Sequence, residues 1–534
     1  MNQRTRTDWL LLAGFCLFLF IYGLGRFGLI GADEPRYAQV AREMLERHEW
    51  ITPTLGGRPW LEKPALYYWQ AILVYRMLGV SDWAARLPSA IDASLMVLGV
   101  YFFLRRLRPG LHLDGALMTA SAAGVIGFAR AAAMDMPLAA TFTLALLAWY
   151  AWWETSQRAY LAGFYALLAL ATLAKGPVAP VLAGMIVGLF ALVARNSRII
   201  ITTLWIPGML LFFLVALPWY VAVEVRHPEF FRFFILQHNL ARFATDRYHH
   251  GQPIWFFLPV TALGLLPWLV FVMGSGVETA RGWWSERARL FDSGDALSFF
   301  LLLWLIVPVV FFSLSQSKLP GYILPALPAG PMLVAEHLRR HSDDEYRPAG
   351  LLIALHSIAA SAPVVPALLV PYLFLPHGFA WSRATGVACG IALFLAAGIV
   401  VTLRGKLGLR MLRFVTLIPV VIAVAAVMRI AAPSIDRVLS ARPLAEQLAQ
   451  MESRSLPVAV FGVGRETEYG LAFYRNEIIS RYELNQIPFE EHLLVAPAGA
   501  HDAIVRMLEG RRVTSVGRFE PQALDYYWVA KSRD

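Results

Sequence analysis

Apolar residues run through this chain in long blocks, separated by short interruptions rich in arginine. A helix needs about 20 mostly apolar residues to cross the hydrocarbon of a bilayer, where its backbone must satisfy its own hydrogen bonds. By that rule, blocks at 9–28, 85–104, 113–131, 136–153, 159–174, 178–194, 199–223, 254–273, 297–314, 320–337, 348–371, 383–403 and 409–431 predict a polytopic membrane protein, mainly α, with about thirteen transmembrane helices. The stretch 1–28 reads as a retained first helix. Its apolar run is long, no small-x-small cleavage site follows, and further spans come after it.

Cationic loops tend to stay cytoplasmic, so the arginines set the orientation. Arg4 and Arg6, Arg105–Arg106–Arg108, Arg158, Arg195 with Arg198, Arg281–Arg289, Arg339–Arg347 and Arg404–Arg410 fall on alternate loops, which places those loops on the cytoplasmic side. The opposite face then receives residues 29–84, a turn at Asp135, a turn at Lys175, residues 224–253, a turn at 315–320 and everything after about residue 432. This divides the chain into a membrane domain, 1–432, and a tail, 433–534. The membrane domain has a first outer loop, 29–84, and a second large one, 224–253.

The tail alternates differently. "LPVAVFGV" (456–463), "HLLVAP" (492–497), "VTSVGRF" (513–519) and "YYWVAK" (526–531) predict strands, and 441–453 and 500–510 predict helices. A small extracytoplasmic α/β domain is expected there. "GVGRE" (462–466) is an incomplete dinucleotide pattern and carries no weight.

The polar stretch 31–70 directly follows the first span. "EPRYAQVAREMLERHEW" has apolar residues at helical spacing and predicts a helix lying along the membrane surface; 60–78, rich in interfacial aromatics, predicts a second.

Composition agrees with the pattern. Of 534 residues, 58% are hydrophobic and 16% charged, against roughly 25% charged in soluble domains, and the mean hydropathy is +0.54. A net charge of +10 could suggest nucleic acid, but the basic residues form no single face or tract, so no nucleic-acid partner is expected. Cys16 and Cys389 both sit in apolar runs and imply no disulfide framework.

The residues most in need of explanation converge on the outer face. Asp33, Glu34, Glu62 and Asp135 supply acids; Arg36, Lys63, Lys175, Arg242 and Lys318 supply bases, with Tyr322 one turn beyond Lys318 and His238 in the second large loop. Plainer readings stand beside each. Asp33 and Glu34 could be solvated charges at a helix end, Asp135 a helix cap, and Lys175 a partner of a helix C-terminus. Cations beside carboxylates at a membrane surface suit one kind of chemistry, in which a lipid phosphate is held while a carboxylate takes a proton from an attacking group.

"GADEPRYAQVAREML", "LEKPALYYW", "MDMP", "AKGP", "SKLPGYILPALP" and "GQPIWFFLPVTALGLLPW" resemble the lipid-carrier-dependent glycosyltransferases of the C superfamily. Within them the chain most resembles the aminoarabinose transferases that modify lipid A, and more distantly the protein O-mannosyltransferases. The resemblance covers most of residues 1–340. It implies a monomeric glycosyltransferase of the bacterial inner membrane, with its active site and C-terminal domain facing the periplasm. Its donor would be a polyprenyl-phosphate (undecaprenyl-phosphate) sugar, and its acceptor lipid A or another envelope molecule. It matches Asp33 to a catalytic acid and Asp135 to a second essential acid, with Glu34 beside them. Lys63, Arg36 and Tyr322 match groups that hold the carrier phosphate, and Lys175, Arg242 and Lys318 join them as cations of the same face. Glu62 matches a metal-contacting position, and a second ligand would fall at His238 or Asn239, which points to a divalent zinc or magnesium ion. Two alternatives stand beside this reading: a mannosyltransferase-like enzyme of proteins or envelope glycans, and a transporter or flippase of lipid-linked substrates. The transporter predicts internal repeats, which this sequence lacks.

Overall fold

The computed structural model describes residues 3–234, 251–285, 296–341, 348–373, 383–405, 408–451, 454–484, 486–508 and 510–531. Arg242 and His238, and with them the histidine-bearing loop, lie outside the described residues.

All thirteen apolar blocks are helical over most of their described length. Seven helices are long and apolar enough to cross a membrane: Asp82–Leu107, Asp135–Thr155, Ile206–Arg226, Ala296–Ser313, Gly350–Tyr372, Arg383–Arg404 and Gly408–Leu439. An eighth crossing is reached if Phe257–Gly264 and Leu269–Ser285, bent by 112° at their junction, count as one. The expected thirteen full spans are not reached by length and composition among the described residues, because the other blocks are broken, shorter or less apolar. The block at 113–131, for example, splits into His112–Ser121 and Ala123–Ala129, with Ala122 extended between them. The protein is a multi-pass membrane protein. Only 28% of the apolar window of Ile206–Arg226 and 17% of that of Arg383–Arg404 is covered by protein. Apolar surface on that scale needs a lipid neighbour.

Residues 33–46 form the expected helix, Asp33–Glu46. It does not lie bare on a surface: Tyr37, Ala38, Val40, Ala41 and Met44 are buried in a cluster with Tyr67, Tyr68, Ile72 and Tyr75 of the next helix. That next helix is Leu66–Leu78, so the sequence expectation of a helix from residue 60 is corrected. Residues 60–65 bend instead. Lys63 precedes Pro64, whose ring disfavours helical backbone in the residue before it. Ahead of the bend is a hairpin that periodicity did not reveal: β1 (Thr54–Leu55) pairs antiparallel with β2 (Arg58–Pro59). Gly56 and Gly57 turn it, with φ of +59° and +74° that other residues rarely adopt. The Glu43 carboxylate accepts their amides at 2.8 and 3.1 Å, which anchors the hairpin to the Asp33–Glu46 helix.

In the tail, β3 (Val458–Val460), β4 (Ser480–Arg481), β5 (His492–Pro497), β6 (Val513–Phe519) and β7 (Leu524–Val529) form one sheet in the order β4-β3-β5-β7-β6. β3 is parallel to β4 and β5; β7 is antiparallel to β5 and β6. Helices Arg442–Met451 and His501–Met507 fall where the sequence placed them. Helix Arg465–Arg475 and strand β4 were not foreseen, and that helix docks the tail onto the segment between residues 29 and 82. Arg42 donates to Phe473 O at 3.1 Å, and the Leu29 amide donates to the Tyr474 hydroxyl at 2.6 Å. Tyr474 in turn donates to Asp82 Oδ1 at 2.5 Å, and Arg442 bridges Asp82 at 2.8 Å and Asp436 at 2.7 Å.

Candidate functional site

Asp33 opens the Asp33–Glu46 helix, and Arg36 stands one turn on, so their side chains share a face. Arg36 Nη2 donates to Asp33 Oδ1 and, at 3.2 Å, to the Tyr37 hydroxyl. The Asp33 side chain is 55% exposed and that of Arg36 11%. The guanidinium is caged by rings, with Cζ 5.0 Å from the centre of Tyr37, 5.1 Å from Trp60 and 5.7 Å from Tyr469. Burial works against its charge, but Tyr37, Asp33 and Glu62 outweigh it and hold its pKa above the ordinary value.

Around this cation several buried donors lack protein partners: Arg36 Nε, Trp60 Nε1 and the Tyr68 hydroxyl have no hydrogen bond among the described residues. Folded proteins satisfy most buried polar atoms, so an unsatisfied Nε on this guanidinium and two further unsatisfied donors near it require an explanation. Tyr68 lies within electrostatic reach of Arg36, Glu62 and Asp33. Burial is the largest influence on its phenol and pushes its pKa up, as it does for Tyr37. Both therefore remain protonated donors at neutral pH. Glu62 and Lys63 sit half-buried in the 60–65 bend that also carries Trp60.

A second group lies alongside. Asp135 is the first residue of the Asp135–Thr155 helix and Lys175 the last of Arg158–Lys175. Lys175 Nζ is 2.5 Å from Asp135 Oδ1 and 4.8 Å from the centre of the Tyr322 ring. The carboxylate is thus an ion-pair partner as well as a group near a helix start. It presses against Gly321, where a Cβ would collide with Oδ1; only glycine permits this approach. The two groups share one neighbourhood, because Tyr37 is within electrostatic reach of both Asp33 and Asp135.

Glu34 departs from its expected place among the catalytic acids. It is 6% exposed, and its oxygens accept from Arg86 Nε at 2.9 Å, Arg86 Nη2 at 2.6 Å, the Ile30 amide at 2.8 Å and the Ala132 amide at 2.8 Å. Arg86 also donates to the carbonyls of Leu24, Phe27 and Gly28. A carboxylate so fully engaged has no lone pair left for a substrate, and the geometry assigns Glu34 to the scaffold. Lys318 likewise turns inward: it is buried, and its ammonium donates to Ser315 O of its own turn. Glu62 belongs to no grouping of three metal-ligating side chains among the described residues, and the position expected to supply its second ligand, His238 or Asn239, lies outside them.

Trp60, Tyr68, Tyr469, Arg86 and Gly321 were missed from sequence. Only Arg86 left a signal, an arginine inside a mostly apolar block, which usually marks a buried partner. Behind the scaffold pair opens an apolar cavity of about 530 Å³, whose lining includes Phe27, Ile126, Leu266, Pro363 and Val427.

Residues 62–221 match the family model "Dolichyl-phosphate-mannose-protein mannosyltransferase". The undecaprenyl phosphate-α-4-amino-4-deoxy-L-arabinose arabinosyl transferase of Pseudomonas paraeruginosa is 36% identical over 377 residues, 68% of this chain and 66% of that protein. Its namesake in Pseudomonas aeruginosa is 36% identical over 375 residues, 67% of this chain and 66% of that protein. This chain is an aminoarabinose-transferase-like protein. The match spans just under two thirds of the length of those relatives. Two solved structures extend the likeness of this transferase-like chain at the level of fold. ArnT from Cupriavidus metallidurans bound to undecaprenyl phosphate has a TM-score of 0.77 at 23% identity, covering 98% of both chains. The archaeal oligosaccharyltransferase AglB from Archaeoglobus fulgidus has a TM-score of 0.50 at 12% identity, covering 95% of this chain and 71% of that one.

Proposed function

We propose that this protein is an integral-membrane glycosyltransferase that moves a sugar from an undecaprenyl-phosphate carrier to lipid A. The observation that carries the reading is the cradle of unsatisfied donors, Arg36 Nε, Trp60 Nε1 and Tyr68 OH, at a guanidinium caged by Tyr37, Trp60 and Tyr469. Its chemistry suits a phosphate monoanion attached to a lipid, and the neighbouring apolar cavity suits a hydrocarbon chain. The similarity to transferases named for undecaprenyl-phosphate aminoarabinose supports the same donor.

A carrier phosphate is already a fair leaving group. Arg36 and Lys63 offset the charge that develops on it as the anomeric bond breaks, and an acceptor oxygen attacks from the opposite side, which inverts the anomeric carbon. Asp33, half-exposed beside Arg36, takes the proton from a hydroxyl acceptor. For an acceptor that is already an anionic phosphate, it orients the sugar instead. Asp135 and Lys175, paired with each other, stand near the site, with Asp135 in electrostatic reach of Tyr37. The orientation follows the arginine pattern: the site and residues 442–529 face the periplasm from the inner membrane. A phosphatase fused after residue 534 should be active, and activity of a cytoplasm-specific reporter there would reverse the topology.

The decisive experiment uses purified protein and a radiolabelled undecaprenyl-phosphate sugar. Turnover is expected, and its absence with lipid A as acceptor would sink the reading. Lys63→Ala should raise the apparent KM for the donor by about ten- to a hundredfold, from loss of a charge-assisted contact worth about 1.5–3 kcal/mol. Lys63→Arg should retain part of the function, because the charge stays while its shape changes. A shift confined to the acceptor curve would remove Lys63 from the carrier phosphate.

A further inference from the structure

A different cluster lies far from this cradle. Glu278 sits on the Leu269–Ser285 helix; His337 lies in the last turn of Ala329–Arg340, and His341 caps that helix. The four-residue spacing of the histidines puts both on one helix face. His337 Nδ1 is 3.2 Å from Glu278 Oε2, and His341 Nε2 is 3.5 Å from Glu278 Oε1. All three ligand atoms lie within 4.8 Å of one another. The end of the bundle is fixed by neighbouring contacts. Arg339 and Arg340 pair with Glu336, and Arg108 joins Glu154 to Glu336. Glu154 closes the helix that Asp135 opens, so roughly 30 Å of helix rise separates this cluster from the cradle.

We propose that Glu278, His337 and His341 form a binding site for a divalent ion of the zinc class. Two imidazoles and a carboxylate are a ligand set that zinc accepts, with a position left for water. Ligands about 2.0–2.1 Å from a tetrahedral zinc stand roughly 3.4 Å apart, close to the two histidine-to-carboxylate separations of 3.2 Å to Oε2 and 3.5 Å to Oε1. A second observation points to a ligating histidine. His341 Nδ1 is 2.9 Å from the His337 carbonyl, which can only accept, so Nδ1 carries a hydrogen; in the neutral ring Nε2 then keeps its lone pair, on the side of Glu278. A hydrogen bond from the far nitrogen to a carbonyl is how proteins fix the tautomer and aim of a metal-binding imidazole. His337 is largely buried and preset by packing, while Glu278, 48% exposed, leaves an entry path. Such an ion clamps the Leu269–Ser285 helix, the second limb of the bent pair, to the Ala329–Arg340 helix that follows the Gly321–Tyr322 turn.

The test uses the full chain, tag removed, in detergent and stripped with chelator. Calorimetric titration with zinc chloride should show about one equivalent bound, and cobalt should give the visible absorption of a tetrahedral N/O site. Glu278→Gln and His341→Ala should each weaken zinc binding by at least about 100-fold, beyond the 10- to 100-fold typical of losing an outer-shell partner. Glu62→Gln should retain the equivalent of zinc that Glu278→Gln loses, which separates this site from any ion at the opposite face. Glu278→Gln changes a half-exposed group and should fold; zinc should then raise the melting temperature of the parent and not of this variant. No saturable binding by the parent, or equal binding by all variants, would overturn the proposal. So would a stability loss in Glu278→Gln that is the same with and without zinc, which indicates only an ion pair with protonated imidazoles.

Discussion

Asp33→Asn is expected to insert and fold like the parent and to transfer sugar roughly 100- to 10,000-fold more slowly, the usual contribution of a positioned proton acceptor. Folding should survive because the Asp33–Arg36 pair is an i,i+3 contact with a half-exposed carboxylate, and pairs of that kind contribute only about 0–1 kcal/mol. Arg36 keeps its aromatic cage of Tyr37, Trp60 and Tyr469 in the variant, so the cation stays in place. Nor can the adjacent acid substitute, because Glu34 is held by Arg86 and two amides. Single-turnover transfer from a radiolabelled polyprenyl-phosphate sugar measures the loss, with donor affinity measured in parallel. Donor affinity should change little while the rate collapses. Turnover near that of the parent would remove Asp33 from the chemistry.

Arg86→Met is expected to be the most damaging single change to the fold. It strands the Glu34 carboxylate, whose side chain is 8% exposed, and also removes the donor to three backbone carbonyls. Breaking one side of a buried ion pair costs about 3–5 kcal/mol, a large share of a typical stability of about 5–15 kcal/mol. The pair joins the segment after the first span, the start of the Asp33–Glu46 helix and the Asp82–Leu107 helix, so its loss loosens the platform that carries Asp33 and Arg36. The readouts are the yield of monodisperse protein in detergent and its melting temperature. Glu34→Leu combined with Arg86→Met should recover part of the loss, since removing both charges leaves no uncompensated ion. If Arg86→Met melted with the parent, the pair would not be holding the platform.

Where the sequence was sufficient, the determinant was local. A run of apolar residues demands helix in a bilayer, so the blocks were legible one by one, as were the amphipathic Asp33–Glu46 helix and the alternating strands of the tail. The acids and bases expected on one face could be named from their places between blocks. What they do to each other could not. Glu34 and Asp33 are neighbours with the same charge, yet one is buried against an arginine 52 residues away and the other faces out. No pattern announced that Tyr469 would reach Arg36 from the tail, or that Gly321 would lie flush against Asp135. Even the bend at Lys63, where Pro64 gave a local warning, is shaped by a hairpin tied down by Glu43. Periodicity records which face of an element avoids water. It does not record which residue of a distant element meets it there, because that depends on how whole helices pack, and only the tertiary structure decides it.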